Sequence, residues 1–433
     1  MKPPVPMKAR LKGKMETEFE WFLGVDWGGS QHAVALVNAN GKVVHESTVA
    51  HEVEALRKTI DRVIELSGGK GDRIAVAIEV PHGPVVETLL DRGLKVFAIN
   101  PRQLDRFRDR YSMSGAKDDR RDAQVLAESL RTDRRAYDPV RPRTAFLVAM
   151  REESRLYDEL GEELHQAINR LRQQLERYLP NVLRFGEPNH PWIWRLIERV
   201  GTSPQHSRVR RSDIEKLLHA HRIRRVNTDE VLERLRAPTF PLADGVAEAA
   251  RQRALVLIEQ LRLLHRQRHA CDERLRTLLG KRVDEEGPES GQTPPPPMHR
   301  DVEILRSMPG VGIHVCATML GEAGTALRER DRSTIRTVGG QAPVTIQSGK
   351  SRRVLRRTGC NPRLRNALFH WGCAAVRCDP RSQSHYERLR DRGASHGRAI
   401  RGVVDRLIDV LIAMLRTDTL YDCDRRSPSE LAA

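Results

Sequence analysis

Four acidic residues have the settings that a divalent-metal site for phosphodiester chemistry needs. Two of them end strand-like apolar runs and two open a helix-like segment: Asp26, Glu79, Asp119 and Asp122. Carboxylate oxygens suit hard cations such as Mg²⁺ or Mn²⁺, and the set contains no histidine or cysteine. Two such ions can stabilise both the attacking and the leaving oxygen of an in-line phosphoryl displacement. The pattern predicts a metal-dependent enzyme that acts on polynucleotides.

The first two acids lie at the ends of predicted strands. Asp26 closes the apolar run FLGVD, and the following WGGS and HAVALVN are typical of a hairpin or meander. Glu79 closes RIAVAIE just before Pro81, where the strand runs out into a loop. A single Asp at a strand end is usually a turn former. Only the order of all four acids favours a site.

The other two acids open a helix predicted over 118–131. Residues three apart share a helix face, with about 5–6 Å between Cβ atoms, so Asp119 and Asp122 can serve one metal pair. Asp118 is an alternative to Asp119, because Asp118 and Asp122 also share a face. Acids in a first helical turn also interact favourably with the helix dipole, which is the simpler explanation for any one of them.

Composition limits the class of protein. The chain has 75 Lys and Arg against 58 Asp and Glu, a formal charge of +17 and a pI near 10.1, which indicates a polyanionic partner. Its six cysteines form no C-x-x-C pair or disulfide framework, so we expect a reducing cytoplasm. No apolar stretch approaches the roughly 18 residues of a membrane span.

Changes in composition and in the spacing of apolar residues along the chain predict six segments and a fold of the α/β plus α class. They are a basic disordered arm (1–19), an α/β domain (20–140), a helical coiled-coil region (141–286), a Pro-rich linker (287–300), a mainly helical C-terminal domain (301–420) and a tail (421–433). In the α/β domain we expect strands at 22–26, 32–38, 42–49, 73–79 and 94–99, and helices near 52–67, 84–92 and 118–131. This order suits an RNase H-like layer.

Two stretches with apolar residues three or four apart predict the arms of a long antiparallel coiled coil. One runs from Tyr157 to Tyr178, and the other runs from Ala254 to Leu278 and is broken only by Arg268. Such stripes usually serve packing, so we assign this region to assembly. Between the arms lie two basic clusters, for which a solvated face is the alternative to holding nucleic acid: Arg208, Arg210 and Arg211, and Arg222, Arg224 and Arg225.

The C-terminal segment carries two features that favour contact with DNA phosphates. Pro309-Gly310-Val311-Gly312 lies between two helical patterns in the helix-hairpin-helix form, in which Gly310 and Gly312 free backbone N–H groups to approach a phosphate. An ordinary turn between two helices is the alternative. Downstream, seven basic residues within 16 positions predict a phosphate-tracking surface: Lys350, Arg352, Arg353, Arg356, Arg357, Arg363 and Arg365. Ser348 lies in the adjoining loop, where a Ser-Gly pair is usually only a turn.

The order of these motifs resembles the DEDD-type insertion-sequence transposases that act with a guide RNA. The segments FLGVDWGG, AIEVP, AKDDRRDAQVLA, MPGVG, GGQAP, QSGKSRR and TGCNPRLRNAL follow one another over about residues 20–418, nearly the whole chain. Together they are specific, although MPGVG or Ser-Gly alone would not be. In that family the N-terminal domain resembles the junction nuclease RuvC, and the C-terminal transposase domain contributes a serine that forms a covalent phosphoserine link to DNA.

The resemblance implies a role for each matched residue. It places Asp26, Glu79, Asp119 and Asp122 at the metal and makes Ser348 the nucleophile. It also implies Mg²⁺, donor and target DNA, a structured bridge RNA that pairs with both, and a prokaryotic, nucleoid-associated homo-oligomer, a dimer or tetramer. The helix motif commonly reads K-T-D-x-x-D-A, and Asp118 replaces the Thr here, which leaves Asp118 open as a further ligand.

We therefore expect the metal ions to position a scissile phosphate that Ser348 attacks, leaving a 3′-OH for strand exchange. Because the acids and Ser348 are more than 220 positions apart, they must be brought together by docking, within one chain or between subunits. Three alternatives stay open: a RuvC-like nuclease that uses a metal-activated water, an actin-like or sugar-kinase-like ATPase indicated by VDWGGS, and a non-catalytic nucleic-acid-binding scaffold. The ATPase requires a second phosphate loop, for which we find no convincing segment.

Overall fold

The computed structural model describes residues 19–109, 118–137, 139–140, 144–201, 209–280, 299–349 and 351–423. The predicted arm up to residue 18, the linker at 287–298, Lys350 and the tail beyond 423 lie outside the described residues. The chain forms two compact units, residues 1–142 and 143–433. Within the described ranges, no helix combines the length and the apolarity that crossing a membrane requires.

The first unit is built on a five-stranded mixed sheet in the order β3-β2-β1-β4-β5. Strands β1, β2 and β3 are antiparallel neighbours, whereas β4 runs parallel to β1 and β5 runs parallel to β4. Their bounds are Trp21–Trp27, Gln31–Asn38, Val43–Ala50, Ile74–Ile78 and Lys95–Ala98. The five predicted strands are confirmed, because apolar runs bounded by Gly, Asn and Pro mark strands in a buried sheet.

Helices cover both faces of this sheet. They are α1 (Val53–Leu66), α2 (Pro84–Asp91), α3 (Pro101–Arg108) and α4 (Asp119–Asp133). One face carries Leu23, Val25 and Val76 and packs against α1 and α2. The opposite face carries Phe22 and Ala77 and packs against α3 and α4. Helix α3 was not predicted, although a Pro at its first position is a helix-start signal.

Helix α4 approaches the sheet unusually closely, and a glycine permits this. A Cβ atom on Gly24 of β1 would lie 1.8 Å from the carbonyl oxygen of Ala123 and 2.8 Å from the amide nitrogen of Ala127. Any side chain at Gly24 would push α4 away from the sheet. The first turn of α4, with its acids, is therefore fixed by backbone contact with β1.

The second unit contains eleven α-helices, one short 3-10 helix (Pro180–Phe185) and one hairpin among its described residues. The helices are α5 (Ala145–Tyr178), α6 (Pro191–Val200), α7 (Arg211–Ala220), α8 (Thr228–Arg236), α9 (Val246–Leu279), α10 (Arg300–Ser307), α11 (Ile313–Arg328), α12 (Arg332–Val338), α13 (Pro362–Cys378), α14 (Pro380–Asp391) and α15 (His396–Thr417); the hairpin strands are β6 (Val344–Ser348) and β7 (Ser351–Leu355).

Helices α5 and α9 form a long antiparallel pair. Arg274 near the end of α9 donates from Nε to Glu153 Oε1 near the start of α5, at 2.9 Å. At the other end, the charge of Arg251 acts on Tyr178. Buried residues on the predicted stripes, such as Leu171 and Leu261, fill the contact between the helices. The regular side-chain packing of a coiled coil stays a prediction.

Arg268, which interrupts the apolar stripe of α9, lies against α5 through its flat guanidinium. Its Cζ atom is 4.2 Å from the centre of the Tyr157 ring, a cation–π contact. A Cβ on Gly161 would come within 3.6 Å of the same guanidinium. An aromatic face and a glycine therefore accommodate a charge within the stripe.

The ends of α5 and α9 share a core with the helices that follow the predicted linker. Leu147 and Met150 of α5 and Leu275 of α9 pack in one cluster with Trp371 of α13 and with α11 and α15. The division of this unit into separate domains at 287–300 stays a prediction.

We expect Gly24→Ala to lower the melting temperature of the protein, because the added methyl group overlaps the backbone of α4. Overpacking of this kind costs about 1–3 kcal/mol. Gly29→Ala is the matched control, since a Cβ there meets nothing within 4 Å. Thermal unfolding followed by circular dichroism makes the comparison, and equal melting temperatures for the two variants would contradict the close approach.

Candidate functional site

Asp26 and Glu79 lie beside each other where two central parallel strands end. In the register of β1 and β4, Val25 is the partner of Ile78, and Glu79 follows Ile78 directly, one position past the last residue of β4. Alternation along β1 puts Asp26 on the same face as Gly24. That face is the one covered by α4. Both acids are half-buried.

The first turn of α4 adds the other two acids on the same face of the sheet. Asp122 precedes Ala123, the residue that touches Gly24, and it is only 3% exposed. Asp119 lies one turn earlier and is exposed. The close approach at Gly24 therefore puts α4 over the sheet face that carries Asp26.

Asp122 is paired with a cationic side chain of α3, the helix that was not predicted from the sequence. Arg108 Nε, at the end of α3, lies 2.9 Å from Asp122 Oδ1, and Arg108 Nη1 lies 3.1 Å from Asp105 Oδ1. The Nε–H is not aligned as a hydrogen bond, so the contact with Asp122 is an ion pair. A buried carboxylate needs such a counter-charge. The sequence signal that could have predicted α3 was Pro101 at its first position.

Asp118 serves the local structure of α4. Its side chain accepts a hydrogen bond from the backbone N–H of Arg120 at 3.2 Å, as the N-cap residue of the helix. Asp119 makes no such cap. This difference favours Asp119 over Asp118 as the first acid of the helix pair.

The donor set matches a hard divalent cation in chemistry, because all four groups are carboxylates. Among the described residues, however, no three His, Cys, Asp or Glu side chains are close enough to bind one ion. Arg108 neutralises Asp122 in this structure. Binding a metal at Asp122 requires Arg108 to move and the four side chains to converge.

Ser348 lies at the turn of an exposed hairpin, in a segment that we expected to be a loop. Strands β6 and β7 pair in antiparallel register with Ser348 opposite Ser351, and Gly349 in the turn has φ +53°. Opposed residues share a face, so Ser348 lies on the face of Ile346 and Arg353. Arg352 is on the other face. Ser348 is exposed.

The six predicted phosphate-binding arginines, which the structure describes, do not share one environment. Arg352, Arg353 and Arg356 are exposed, and none of them forms an ion pair with a described residue. Arg357 donates from Nε to the carbonyl of Ala342 at 3.1 Å, and Arg365 is half-buried. The exposed three are the most suitable for nucleic acid.

Arg363 is engaged in a polar network between α5, α11 and α13. Its Nη2 lies 3.0 Å from Asp158 Oδ2, and its Nη1 lies 3.6 Å from Oε1 of Glu322, which is 4% exposed. Arg155 and Asn361 also bind Glu322, at 2.9 and 2.7 Å. Burial alone would raise the pKa of Glu322, but the hydrogen bonds from Arg155 and Asn361 and the charges of Arg155 and Arg363 together lower it. Arg363 thus has a structural role; phosphate binding by it stays a prediction.

The two glycines of the helix-hairpin-helix segment also differ. Gly310 has φ +78°, and a Cβ there would lie 2.6 Å from the amide nitrogen of Ala375, while Trp371 Nε1 donates to the Pro309 carbonyl at 2.9 Å. Packing against α13 therefore explains Gly310. A Cβ on Gly312 meets nothing within 4 Å. Contact with DNA at either glycine stays a prediction, and Gly312 is the more accessible of the two.

Comparison with known families and proteins gives two matches to transposase models. Residues 23–180 match the DEDD model described as "Transposase", and residues 302–387 match the model described as "Transposase IS116/IS110/IS902 family". The first match contains the four acids, and the second contains Ser348 and the arginines around it.

Several known proteins are similar to the chain. A putative transposase, y4uE, of Sinorhizobium fredii is 43% identical over 233 residues, which cover 53% of this chain and 62% of that protein. The mini-circle putative transposase for IS117 of Streptomyces coelicolor is 32% identical over 420 residues, covering 93% of this chain and 96% of the relative. An uncharacterized 43.6 kDa protein of insertion element IS110 from the same species is 27% identical over 427 residues, 95% and 98% of the two chains.

We expect Arg108→Gln to lower the melting temperature in the absence of divalent ions, because it leaves the buried Asp122 without its counter-charge. Removing one partner of a buried pair costs on the order of 3 kcal/mol. Added Mg²⁺ or Mn²⁺ should restore more stability to the variant than to the wild type, since the ion then supplies the missing charge.

Arg106→Gln on the same helix is the matched control for the Arg108 experiment. Differential scanning fluorimetry with and without Mn²⁺ measures both variants. An equal response of Arg108→Gln and Arg106→Gln to Mn²⁺ would remove Asp122 from the metal site.

Proposed function

We propose that this chain, which belongs to the IS116/IS110/IS902 family of insertion-sequence transposases, cuts and rejoins DNA through four metal-binding acids and a serine nucleophile. The observation that carries the proposal is the common placement of the acids. Asp26 lies near the end of β1, Glu79 directly follows the neighbouring parallel strand β4, and α4 covers the face of the sheet that carries Asp26.

The topology of the first unit supports an RNase H-like, RuvC-like fold. Three antiparallel strands are followed by two parallel ones in the order β3-β2-β1-β4-β5. Acids at the ends of β1 and β4 and at the start of α4 fit this assignment, since ligands of such sheets gather at the carboxyl ends of parallel strands.

The proposed roles of the acids follow from their burial. Asp26, Glu79, Asp119 and Asp122 would hold Mg²⁺ or Mn²⁺, and divalent ions supply charge stabilisation to a phosphate under attack. Asp122 is buried and needs a cation in every state, whereas Asp119 is exposed. Arg108 would exchange with the metal as the partner of Asp122, keeping the buried carboxylate neutralised when no metal is bound.

Ser348 would act as the nucleophile from the hairpin turn. Its Oγ attacks phosphorus, the bond from phosphorus to the 3′ oxygen breaks, and the 3′ oxygen leaves with a proton as a 3′-OH. The phosphoserine link preserves the energy of the phosphodiester for rejoining. Arg353 on the same face of the hairpin is suited to neutralise the attacked phosphate, and Arg352 on the other face is suited to a neighbouring one.

The partners belong to the same proposal. The formal charge of +17 supports binding of polyanions. From the family resemblance we infer donor and target DNA, a structured bridge RNA that pairs with both, and a homo-oligomer, either a dimer or a tetramer. RNA sequenced after copurification with the protein tests the guide, and mass photometry of the purified complex tests the oligomer.

We expect Asp26→Asn, Glu79→Gln and Asp122→Asn each to reduce DNA strand cleavage by about 10²-fold or more, the scale for losing one group that stabilises transition-state charge. The substitutions keep side-chain size, so nucleic-acid binding should stay unchanged. A gel assay for cleaved strands and a parallel binding assay give the two readouts.

Asp118→Ala provides the matched comparison with Asp119→Ala. The Asp118 variant loses an N-cap, which costs about 1 kcal/mol of stability, and should retain more cleavage than the Asp119 variant. The reverse ranking would move the metal ligand to Asp118.

We expect Ser348→Ala to bind DNA and RNA normally, to form no covalent protein–DNA adduct and to give no recombinant product. Ser351→Ala is the control, because Ser351 is also exposed and lies directly opposite in the hairpin. Adducts are detected as labelled DNA that migrates with the denatured protein. Near wild-type recombination by Ser348→Ala would replace this mechanism with that of a RuvC-like nuclease that uses water.

A further inference from the structure

Three residues other than glycine have a left-handed backbone in the part of the chain that the structure describes. They are Arg222, Arg330 and Asp418, with φ of +53°, +57° and +53°. Each follows the end of a helix, a position that usually holds glycine because a Cβ atom is strained in this conformation. At Arg222 the N–H of Ile223 donates to the carbonyl of Leu218 at 2.9 Å, which closes helix α7. A strained backbone at each position requires a reason.

At two of these positions the side chain forms an ion pair within the protein. Arg330 Nη1 and Nη2 lie 2.7 and 2.8 Å from the two carboxylate oxygens of Asp301. Asp418 Oδ1 accepts a hydrogen bond from Arg300 Nε at 2.9 Å. Arg222 differs from both, because it is exposed and its guanidinium has no partner among the described residues. The backbone at Arg222 is thus strained without any contact inside the protein that accounts for it.

The turn around Arg222 carries further basic residues and no acid. Residues 216–226 read KLLHAHRIRRV. Four basic side chains of this segment are exposed and have no partner among the described residues: Lys216, His219, Arg222 and Arg224. The nearest acids on either side along the chain, Glu215 and Asp229, both pair with Arg211. The positive charge of the turn is therefore not neutralised by its neighbours in sequence.

The base of the turn is anchored in the protein. Arg225 Nη2 donates to the carbonyl of Phe185 at 3.0 Å. Ile223 and Val226 pack against the core that α5 and α9 share with α6, α7 and α8. Arg225 therefore has a structural role, whereas its neighbour Arg224 is free to bind a ligand. A turn that is already ordered loses less conformational entropy when it binds.

We propose that the exposed basic residues of this α7–α8 turn, above all Arg222 and Arg224, bind the backbone phosphates of a nucleic-acid duplex. The inference deepens the proposed binding of nucleic acid and rests on it. A guanidinium presents N–H donors in a planar array that matches two phosphate oxygens. Residues 216–226 include no Phe, Tyr or Trp on which an unpaired base could stack, which favours the backbone of a duplex. Such contacts add affinity without sequence preference.

The α7–α8 turn is remote from Ser348 within the second unit. Arg363 of α13, downstream of the Ser348 hairpin, contacts α5 at Asp158. The turn contacts the 3-10 helix that follows the other end of α5, at Tyr178. From Asp158 to Tyr178 the helix rises about 30 Å, the length of about nine base pairs. The turn should therefore hold duplex outside the site of cutting and take no part in the covalent step.

Fluorescence anisotropy of the full-length protein tests the proposal. The probes are a labelled DNA duplex and an RNA duplex of the same sequence, each titrated over a range of salt concentrations. We expect Arg222→Gln and Arg224→Gln each to weaken duplex binding and to reduce the log–log salt slope for DNA by about 0.9, the value for one phosphate contact. A loss confined to one of the two duplexes would identify which nucleic acid supplies the phosphates.

Arg195→Gln is the matched control for charge. It removes the same charge from an exposed arginine of α6 that already pairs with Glu198, Nη1 to Oε2 at 3.4 Å. Its salt slope should equal that of the wild type.

Arg222→Gly separates binding from folding. Glycine adopts a φ near +53° without strain, so this variant should keep or raise the melting temperature. It should still lose as much of the salt slope as Arg222→Gln does. A lower melting temperature in Arg222→Gly, measured by differential scanning fluorimetry, would mean that the side chain supports the fold and would overturn the inference.

Two other results would also overturn the inference. One is an unchanged salt slope for both duplexes in Arg222→Gln and Arg224→Gln. The other is unchanged duplex binding with an altered oligomer mass, because the arginines would then contact an acidic surface of a second copy.

Failure of this inference is separable from failure of the proposed function. When the protein saturates the DNA, Arg222→Gln should form the covalent adduct at Ser348 at the wild-type level. A wild-type protein that forms no adduct would contradict the serine mechanism and leave the comparison of salt slopes intact. A wild-type protein that binds neither duplex would contradict the proposed function itself.

Discussion

The close approach of α4 to strand β1 determines where the acids of the first unit lie. Gly24 allows backbone atoms of the two elements to touch, and no larger residue fits between them. The contact fixes the height of α4 above the sheet, so Asp122 is buried over the face that carries Gly24 and Asp26. Burial in turn makes a counter-charge necessary, which Arg108 supplies. One glycine, one buried carboxylate and one arginine thus depend on one another.

Much of the first unit could be predicted from its sequence, because apolar runs, and the Gly and Pro residues that mark their ends, are local signals. The strands carrying Asp26 and Glu79 were found in this way, and the resemblance to DEDD-type insertion-sequence transposases is confirmed by the family matches. That Asp26 and Glu79 lie near the ends of neighbouring strands followed only once the pairing of β1 with β4 was known. Pairing between distant strands has no local signal. The ion pair of Arg108 was unpredictable for the same reason, since it joins residues on two separate helices.

In the C-terminal basic segment, the density of basic residues does not predict which arginines face solvent. Arg363 lies within the densest basic stretch of the chain, but its side chain contacts Asp158 and lies close to the buried Glu322. Arg398 and Arg401 lie outside that stretch and have no acidic partner among the described residues. Counting charges along the chain cannot separate an arginine that neutralises a buried acid from one that faces solvent. Tertiary packing makes that distinction, and Gly310 is a similar case, because α13 accounts for it.

The β6–β7 hairpin is exposed on both of its faces. Its apolar residues Ile346 and Val354 are 52% and 61% exposed. A two-stranded ribbon without a covering layer is only marginally stable in water, so its opening requires little free energy. The turn at Ser348 can therefore become rigid only when the hairpin contacts another part of a complex. The hydroxyl of Ser348, the proposed nucleophile, would then have a fixed position only within an assembled complex. Such a requirement would protect DNA from breakage before the complex has formed.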